Sequence, residues 1–125
     1  MKKVLLTLLA AVLSTAACPQ EIAKGHVYVD SNGNGKKDRG EKGVPQVAIS
    51  NGSRITLTDK DGYYELPVAP DNIIFAIKPS GYAFPADDNN MPRFYYIHKP
   101  GGSPANYKFK GVEPTGKLPR RIDFA

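Results

Sequence analysis

Residues 30–41, Asp30-Ser31-Asn32-Gly33-Asn34-Gly35-Lys36-Lys37-Asp38-Arg39-Gly40-Glu41, carry oxygen-bearing side chains at a spacing that can encircle a hard cation. The stretch satisfies the twelve-residue calcium-loop pattern D-x-[DN]-x-[DN]-G-x5-E at every specified position. If the loop curls, the side-chain oxygens of Asp30, Asn32 and Asn34 converge on one point, and Gly35 permits the sharp turn that follows them. The carbonyl of Lys36 then adds a ligand, Asp38 another directly or through water, and Glu41 closes the shell with two oxygens. Hard oxygen donors without His or Cys favour calcium over zinc or copper. The competing reading is a Gly- and Asn-rich turn that holds no ion, because Lys36, Lys37, Arg39 and Lys42 offset the local negative charge. An ion here is expected to be structural, since no coordination position is left for a substrate.

A second motif, Thr58-Asp59-Lys60-Asp61-Gly62-Tyr63-Tyr64-Glu65-Leu66, is a tight turn leading into an alternating strand. Asp59 or Asp61 can lend an oxygen to the calcium loop if the two turns lie side by side; the alternative is that Asp caps its own turn. The two histidines, His26 and His98, stand apart from any acid or nucleophile at useful spacing, so an independent hydrolase is a weak reading.

The elements that must position these residues are short. The chain has 125 residues, a formal net charge of +5, 41% hydrophobic residues, 12 Gly, 11 Pro and 1 Cys. That length holds one domain with one modest core. The Gly and Pro density favours short segments joined by turns over long helices or helical repeats, and the apolar content is too high for a disordered chain. A single Cys excludes an internal disulfide framework and a cysteine zinc site. Strands are expected at 26–29, 44–50, 54–58, 63–66, 72–78, 94–97, 107–109 and 121–124. Asn51-Gly52 predicts a type I′ hairpin turn. The nearly continuous apolar run Ile73-Ile74-Phe75-Ala76-Ile77 predicts a strand buried on both faces or the centre of a sheet. Seven or eight antiparallel strands imply an all-β sandwich of transthyretin-like or immunoglobulin-like architecture.

Residues 1–20 read as an export signal: Lys2 and Lys3 form the basic start, Val4 to Leu13 the apolar run, and Ser14 to Ala17 the small-residue end. The apolar run is too short to span a bilayer. Cys18 sits where a lipoprotein signal places its acylated cysteine, although Thr15 occupies the position usually held by Leu; ordinary cleavage near Ala16 or Ala17 is the alternative. The expected location is outside the cytoplasm of a Gram-negative bacterium, as a periplasmic, outer-membrane lipoprotein or secreted protein. Residues 21–125 then form the single domain, and any membrane contact runs through the lipid anchor. Residues 21–92 hold eight basic and ten acidic side chains, whereas residues 93–125 hold seven basic ones against Glu113 and Asp123, a candidate surface for an anionic partner or simply a solvated basic face. With no nucleic-acid-binding motif, DNA and RNA are not expected partners.

The spacing D-x-N-x-N-G-x-x-D-x-G-E-x-G followed by T-D-x-D-G-Y-Y-x-L resembles the B-type repeats of bacterial surface adhesins and the carboxypeptidase regulatory-like domains, both transthyretin-like sandwiches. Lys78-Pro79-Ser80-Gly81-Tyr82, the run Phe94-Tyr95-Tyr96-Ile97-His98-Lys99-Pro100-Gly101-Gly102-Ser103-Pro104 and Pro114-Thr115-Gly116-Lys117-Leu118-Pro119 resemble the N-terminal domain of secreted bacterial calcineurin-like metallophosphoesterases. This resemblance covers residues 25–125. It implies a dinuclear-metal phosphoesterase domain as C-terminal partner, with ligands in motifs of the type D-x-H, G-D-x-x-D, G-N-H-[DE] and G-H-x-H. None of these occurs in the chain, which is expected to be a non-catalytic accessory module ending where the catalytic domain begins. The alternative function is a glycan or cell-envelope polymer binding module, with Tyr82, Phe84, Phe94, Tyr95, Tyr96, Tyr107 and Phe109 as a stacking platform. Exposed rings in one plane favour that alternative; a hydrophobic patch beside the C-terminus favours docking of a neighbouring domain.

Overall fold

The computed structural model describes residues 20–105 and 110–125. The export signal as far as residue 19, Cys18 and the expected strand at 107–109 lie outside the described residues. Among those described there are six strands and no helix: β1 (Glu21–His26), β2 (Ala48–Ser50), β3 (Ile55–Leu57), β4 (Tyr63–Val68), β5 (Asn72–Ala76) and β6 (Tyr95–His98). No helix of these residues is long and apolar enough to cross a membrane. The strands form a two-stranded sheet, β1-β4, and a four-stranded sheet in the order β3-β2-β5-β6, both antiparallel. Ala23, Tyr64, Leu66 and Val68 from the first sheet meet Ile49, Ile74 and Ala76 from the second in one buried cluster. The chain is thus an all-β sandwich, with fewer regular strands than the seven or eight expected.

The expected last strand accounts for part of the difference. Ile122 N–H donates to Lys24 O, Phe124 N–H to His26 O and Tyr28 N–H to Phe124 O, so residues 121–125 run parallel to β1 as an irregular third strand of the smaller sheet. Its side chains Ile122 and Phe124 join the core. The Tyr64 hydroxyl donates to Ile122 O at 2.6 Å from within the core. Gly25 makes this approach possible, because a Cβ there would stand 1.9 Å from Ile122 O.

Three boundaries differ from the sequence expectation for local reasons. β1 begins at Glu21, not His26, because its inward positions are the small residues Ala23 and Gly25, which carry little apolar signal. The strand expected over 44–50 is regular only from Ala48, since Gln46 adopts φ 60° after Pro45 and breaks the ladder. The hairpin turn after Ser50 has positive φ at Gly52 (91°) and not at Asn51, the requirement of a type II′ turn and not of type I′. Asn51 instead accepts from Ser53 N–H and Arg54 N–H through its side-chain oxygen.

β5 lies between β2 and β6, at the centre of its sheet as expected. It is covered on one face only: Ile74 is 0% exposed, whereas Ile73 is 48% exposed. His98, also 0% exposed, bonds through Nε2 to Glu21 Oε2 at 2.9 Å and so ties the end of β6 to the start of β1 across the sandwich.

Candidate functional site

The loop of residues 30–41 leaves the sandwich after Val29 and returns at Lys42. Its base is closed by the antiparallel bridge Tyr28↔Gly43 and by Val29 N–H donating to Lys42 O at 2.9 Å. Gly43 and Gly62 let the neighbouring turn pack against this base: a Cβ on Gly43 would lie 1.8 Å from Asp61 O, and one on Gly62 2.2 Å from Val27 O. Backbone packed this tightly is tolerated only by glycine, which is why both turns carry it.

Five side chains singled out by spacing are gathered into one network. Asp30 accepts Asn34 N–H on Oδ1 at 3.2 Å and Gly35 N–H on Oδ2 at 2.8 Å. Asn32 and Asn34 form successive Asx turns, accepting Asn34 N–H and Lys36 N–H respectively, with Gly33 and Gly35 at positive φ between them. Both amide groups donate to Asp38 Oδ2, at 2.7 Å from Asn32 and 2.6 Å from Asn34. These two hydrogen bonds hold the Asp38 carboxyl below its ordinary value of 3.8. Glu41 reaches back across the loop, accepting Ser31 N–H on Oε1 and Asp38 N–H on Oε2, each at 2.9 Å.

The donor set is chemically suited to calcium, with three carboxylates and two amide oxygens on a curled backbone. It is not a ready cage: among the described residues no three His, Cys, Asp or Glu side chains converge as a metal cluster. The Asn32 and Asn34 amides turn their N–H2 groups, not their oxygens, toward Asp38. An entering cation therefore has to displace these contacts and rotate both amides. The Tyr28 phenol beneath the loop is pushed up to about 12, chiefly by burial and then by the charges of Asp30, Asp123, Glu41 and Asp38.

Of the two roles considered for Asp59 and Asp61, Asp59 takes the capping one. Asp59 Oδ1 accepts Asp61 N–H and Tyr63 N–H, capping its own turn. Asp61 borders a shallow cleft that it shares with Glu41, Lys37 and Lys60.

A larger groove of about 560 Å³ runs between this loop, the 79–92 segment and the C-terminal residues, with Asp30, Lys78, Tyr82, Phe84, Arg93 and Ala125 among its walls. Phe84, at the groove, and the following Phe94 and Tyr95 do not share a plane: Phe84 and Phe94 are tilted by 39°, and Phe94 meets Tyr95 edge-on at 70°. The basic character of the last third is partly neutralised, with Lys99 paired to Asp71 at 2.9 Å and Arg121 to Asp123 at 3.0 Å. Asp87 caps its own turn through Asn89 N–H and Met91 N–H. Sequence reasoning missed the exposed apolar side chains on the outer side of the four-stranded sheet. The unbroken run at 73–77 carried that signal.

The family model described as the N terminal of calcineurin-like phosphoesterase matches residues 31–114, a span holding most of the loop and every strand from β2 to β6. Colossin-A of Dictyostelium discoideum is 49% identical over 47 residues, which are 37% of this chain and a share of that protein that rounds to 0%. No solved structure matches. Two thirds of the chain fall within the family match, and the chain belongs to the N-terminal domain family of calcineurin-like phosphoesterases.

Proposed function

We propose that this chain is an exported, non-catalytic accessory module that supports a calcineurin-like phosphoesterase domain in the same polypeptide, with a structural calcium ion bracing residues 30–41. The observation that carries the reading is the family match over residues 31–114. The non-coplanar aromatic rings favour a docking role over a glycan-stacking platform. Residues 1–20 supply the export signal, and Cys18 is the candidate for acylation.

Calcium binding is supported by the hydrogen-bonded network that joins Asp30, Asn32, Asn34, Asp38 and Glu41 in one curled loop, with the Lys36 carbonyl as the remaining ligand. Extracellular modules hold calcium at about 10⁻⁴ to 10⁻³ M. At ten- to hundredfold excess over that dissociation constant, binding to the folded state alone adds about 1.4 to 2.7 kcal/mol. Calorimetric titration of the chain with calcium, with thermal melts in calcium and in chelator, tests this. The parent is expected to bind one ion and to melt higher in calcium; Asp30→Ala with Glu41→Ala removes both effects. No heat at millimolar calcium reduces the loop to a hydrogen-bonded turn. The accessory role is tested separately, by comparing phosphoesterase activity and melting of the two-domain protein with and without this module. Equal activity and stability in both sink it.

A further inference from the structure

We propose that the outer face of the four-stranded sheet is the surface on which the phosphoesterase domain docks, an inference that rests on the accessory reading above. The strand register fixes which side chains share this face. Ile55, Ser50, Phe75 and Tyr95 stand in one row across β3, β2, β5 and β6. Leu57 and Ala48 form the row on one side, with Ile77 N–H donating to Ala48 O beside them. Ile73 and Ile97 form the row on the other side. No Asp, Glu, Lys or Arg occupies any of these positions. Ile55 is 66% exposed and Leu57 53%, and Ile73, Ile77 and Tyr95 are exposed as well.

An antiparallel sheet with one face in water normally alternates apolar with polar residues, placing the polar set outside. This sheet carries apolar side chains on both faces; on the outer one Ser50 is buried between its neighbours, while Ile55, Leu57, Ile73, Ile77 and Tyr95 remain exposed. A contiguous exposed patch of this kind marks an interaction surface.

Its size argues for a tethered occupant. Four strands about 4.8 Å apart, with three to five residues each rising about 3.3 Å, give a face of about 240 Å². Two such faces together bury about 480 Å², somewhat under the roughly 600 Å² at which interfaces between domains of one chain begin. Stable association of free partners takes about 1,200 Å² or more. A covalent tether makes up the difference by raising effective concentration into the millimolar range. The exit of the chain suits this. Ala125 shares its groove with Lys78 and Pro79, the residues that directly follow Ile77, so a domain continuing from Ala125 starts beside the Ile77 end of the face.

The test compares this chain alone with the two-domain protein, this chain followed by its phosphoesterase domain, by differential scanning calorimetry. The double variant Ile55→Lys, Leu57→Lys charges the exposed edge strand β3, and Ile22→Lys, on the outer side of β1, is the control. The sandwich is expected to melt several degrees higher in the two-domain protein than alone. The β3 double variant abolishes that increment, while Ile22→Lys keeps it. In the chain alone both variants melt within about 4 °C of the parent, as surface substitutions do. An increment that survives the β3 lysines overturns the proposed face and leaves the accessory role standing. A concentration-dependent dimer of the chain alone, dissolved by the same lysines, assigns the face to a second copy and overturns the proposal. If the polypeptide carries no phosphoesterase domain, the accessory reading falls and takes this face with it.

Discussion

Ile73 and Ile74 are neighbours on one strand with the same side chain, yet Ile74 is fully buried and Ile73 is about half exposed. The pair isolates what each face of the four-stranded sheet contributes. Inward, Ile74 packs in a cluster fed by both sheets and by the C-terminal residues Ile122 and Phe124. Outward, Ile73 shares its face with Ile97, Phe75 and Tyr95 and stays about half exposed. Hydrophobic pattern alone does not separate the two faces, because an apolar run reports that a strand is suited to cover on both sides and not who provides the cover.

The largest expected effect breaks or confirms this contrast directly. Ile74→Ala removes buried methyl groups and leaves a cavity, at a cost of about 2 to 5 kcal/mol. Ile73→Ala stays within about 0.5 kcal/mol in the chain alone. Denaturant melts of the two variants measure the difference. Equal losses mean that the outer face is covered in solution even without another domain.

Next in size is the joint between β1 and the C-terminal segment. Gly25→Ala places a methyl carbon against the Ile122 carbonyl and has to displace the segment. The bonds at stake are Ile122 N–H to Lys24 O, Phe124 N–H to His26 O and the Tyr64 hydroxyl to Ile122 O. A loss of about 2 to 3 kcal/mol is expected, in the range of other disrupted buried networks. Tyr64→Phe sharpens the result by removing a single donor while keeping the ring, and costs about 1 kcal/mol. Should Gly25→Ala cost no more than Tyr64→Phe, the C-terminal segment is not an integral strand of the sandwich.

How much of this was legible beforehand follows the same division. Strands at 63–66, 72–78 and 94–97 were readable because Tyr64, Leu66 and Ile74 alternate or cluster strongly. The 30–41 loop was readable because its Asp, Asn and Gly residues act locally, each bonding within a few positions of itself. Residues 21–25 were not, since their inward positions are the small Ala23 and Gly25, and the Ile122 carbonyl that packs against Gly25 comes from nearly a hundred positions away. The Glu21–His98 contact is equally remote in sequence, and neither residue announces its partner. The turn at Gly52 shows a subtler limit, for Asn-Gly identified the hairpin but the Asn51 side chain, bonding Ser53 and Arg54, shifted positive φ onto Gly52 alone.

The smallest expected effect separates two surface acids whose pKa values shift in the same direction for different reasons. Asp38 and Asp87 both titrate below their ordinary value, Asp38 because the Asn32 and Asn34 amides donate to it, Asp87 because the backbone N–H groups of Met91 and Asn89 do. For each, the folded pKa lies below the unfolded one, so near and below pH 3.8 the unfolded chain binds more protons. Their contribution to stability is therefore present in full above that range and disappears as pH falls through the folded pKa. Replacing Asn32 and Asn34 together by Ala removes the donors to Asp38 and leaves those of Asp87 intact. Carbon-detected NMR titration in chelator is expected to show the Asp38 midpoint rising toward its ordinary value while that of Asp87 stays in place. An unmoved Asp38 midpoint means that the loop does not close on itself in solution without an ion. The five oxygen-bearing side chains then lose their shared network, and calcium would have to assemble the site from an open loop.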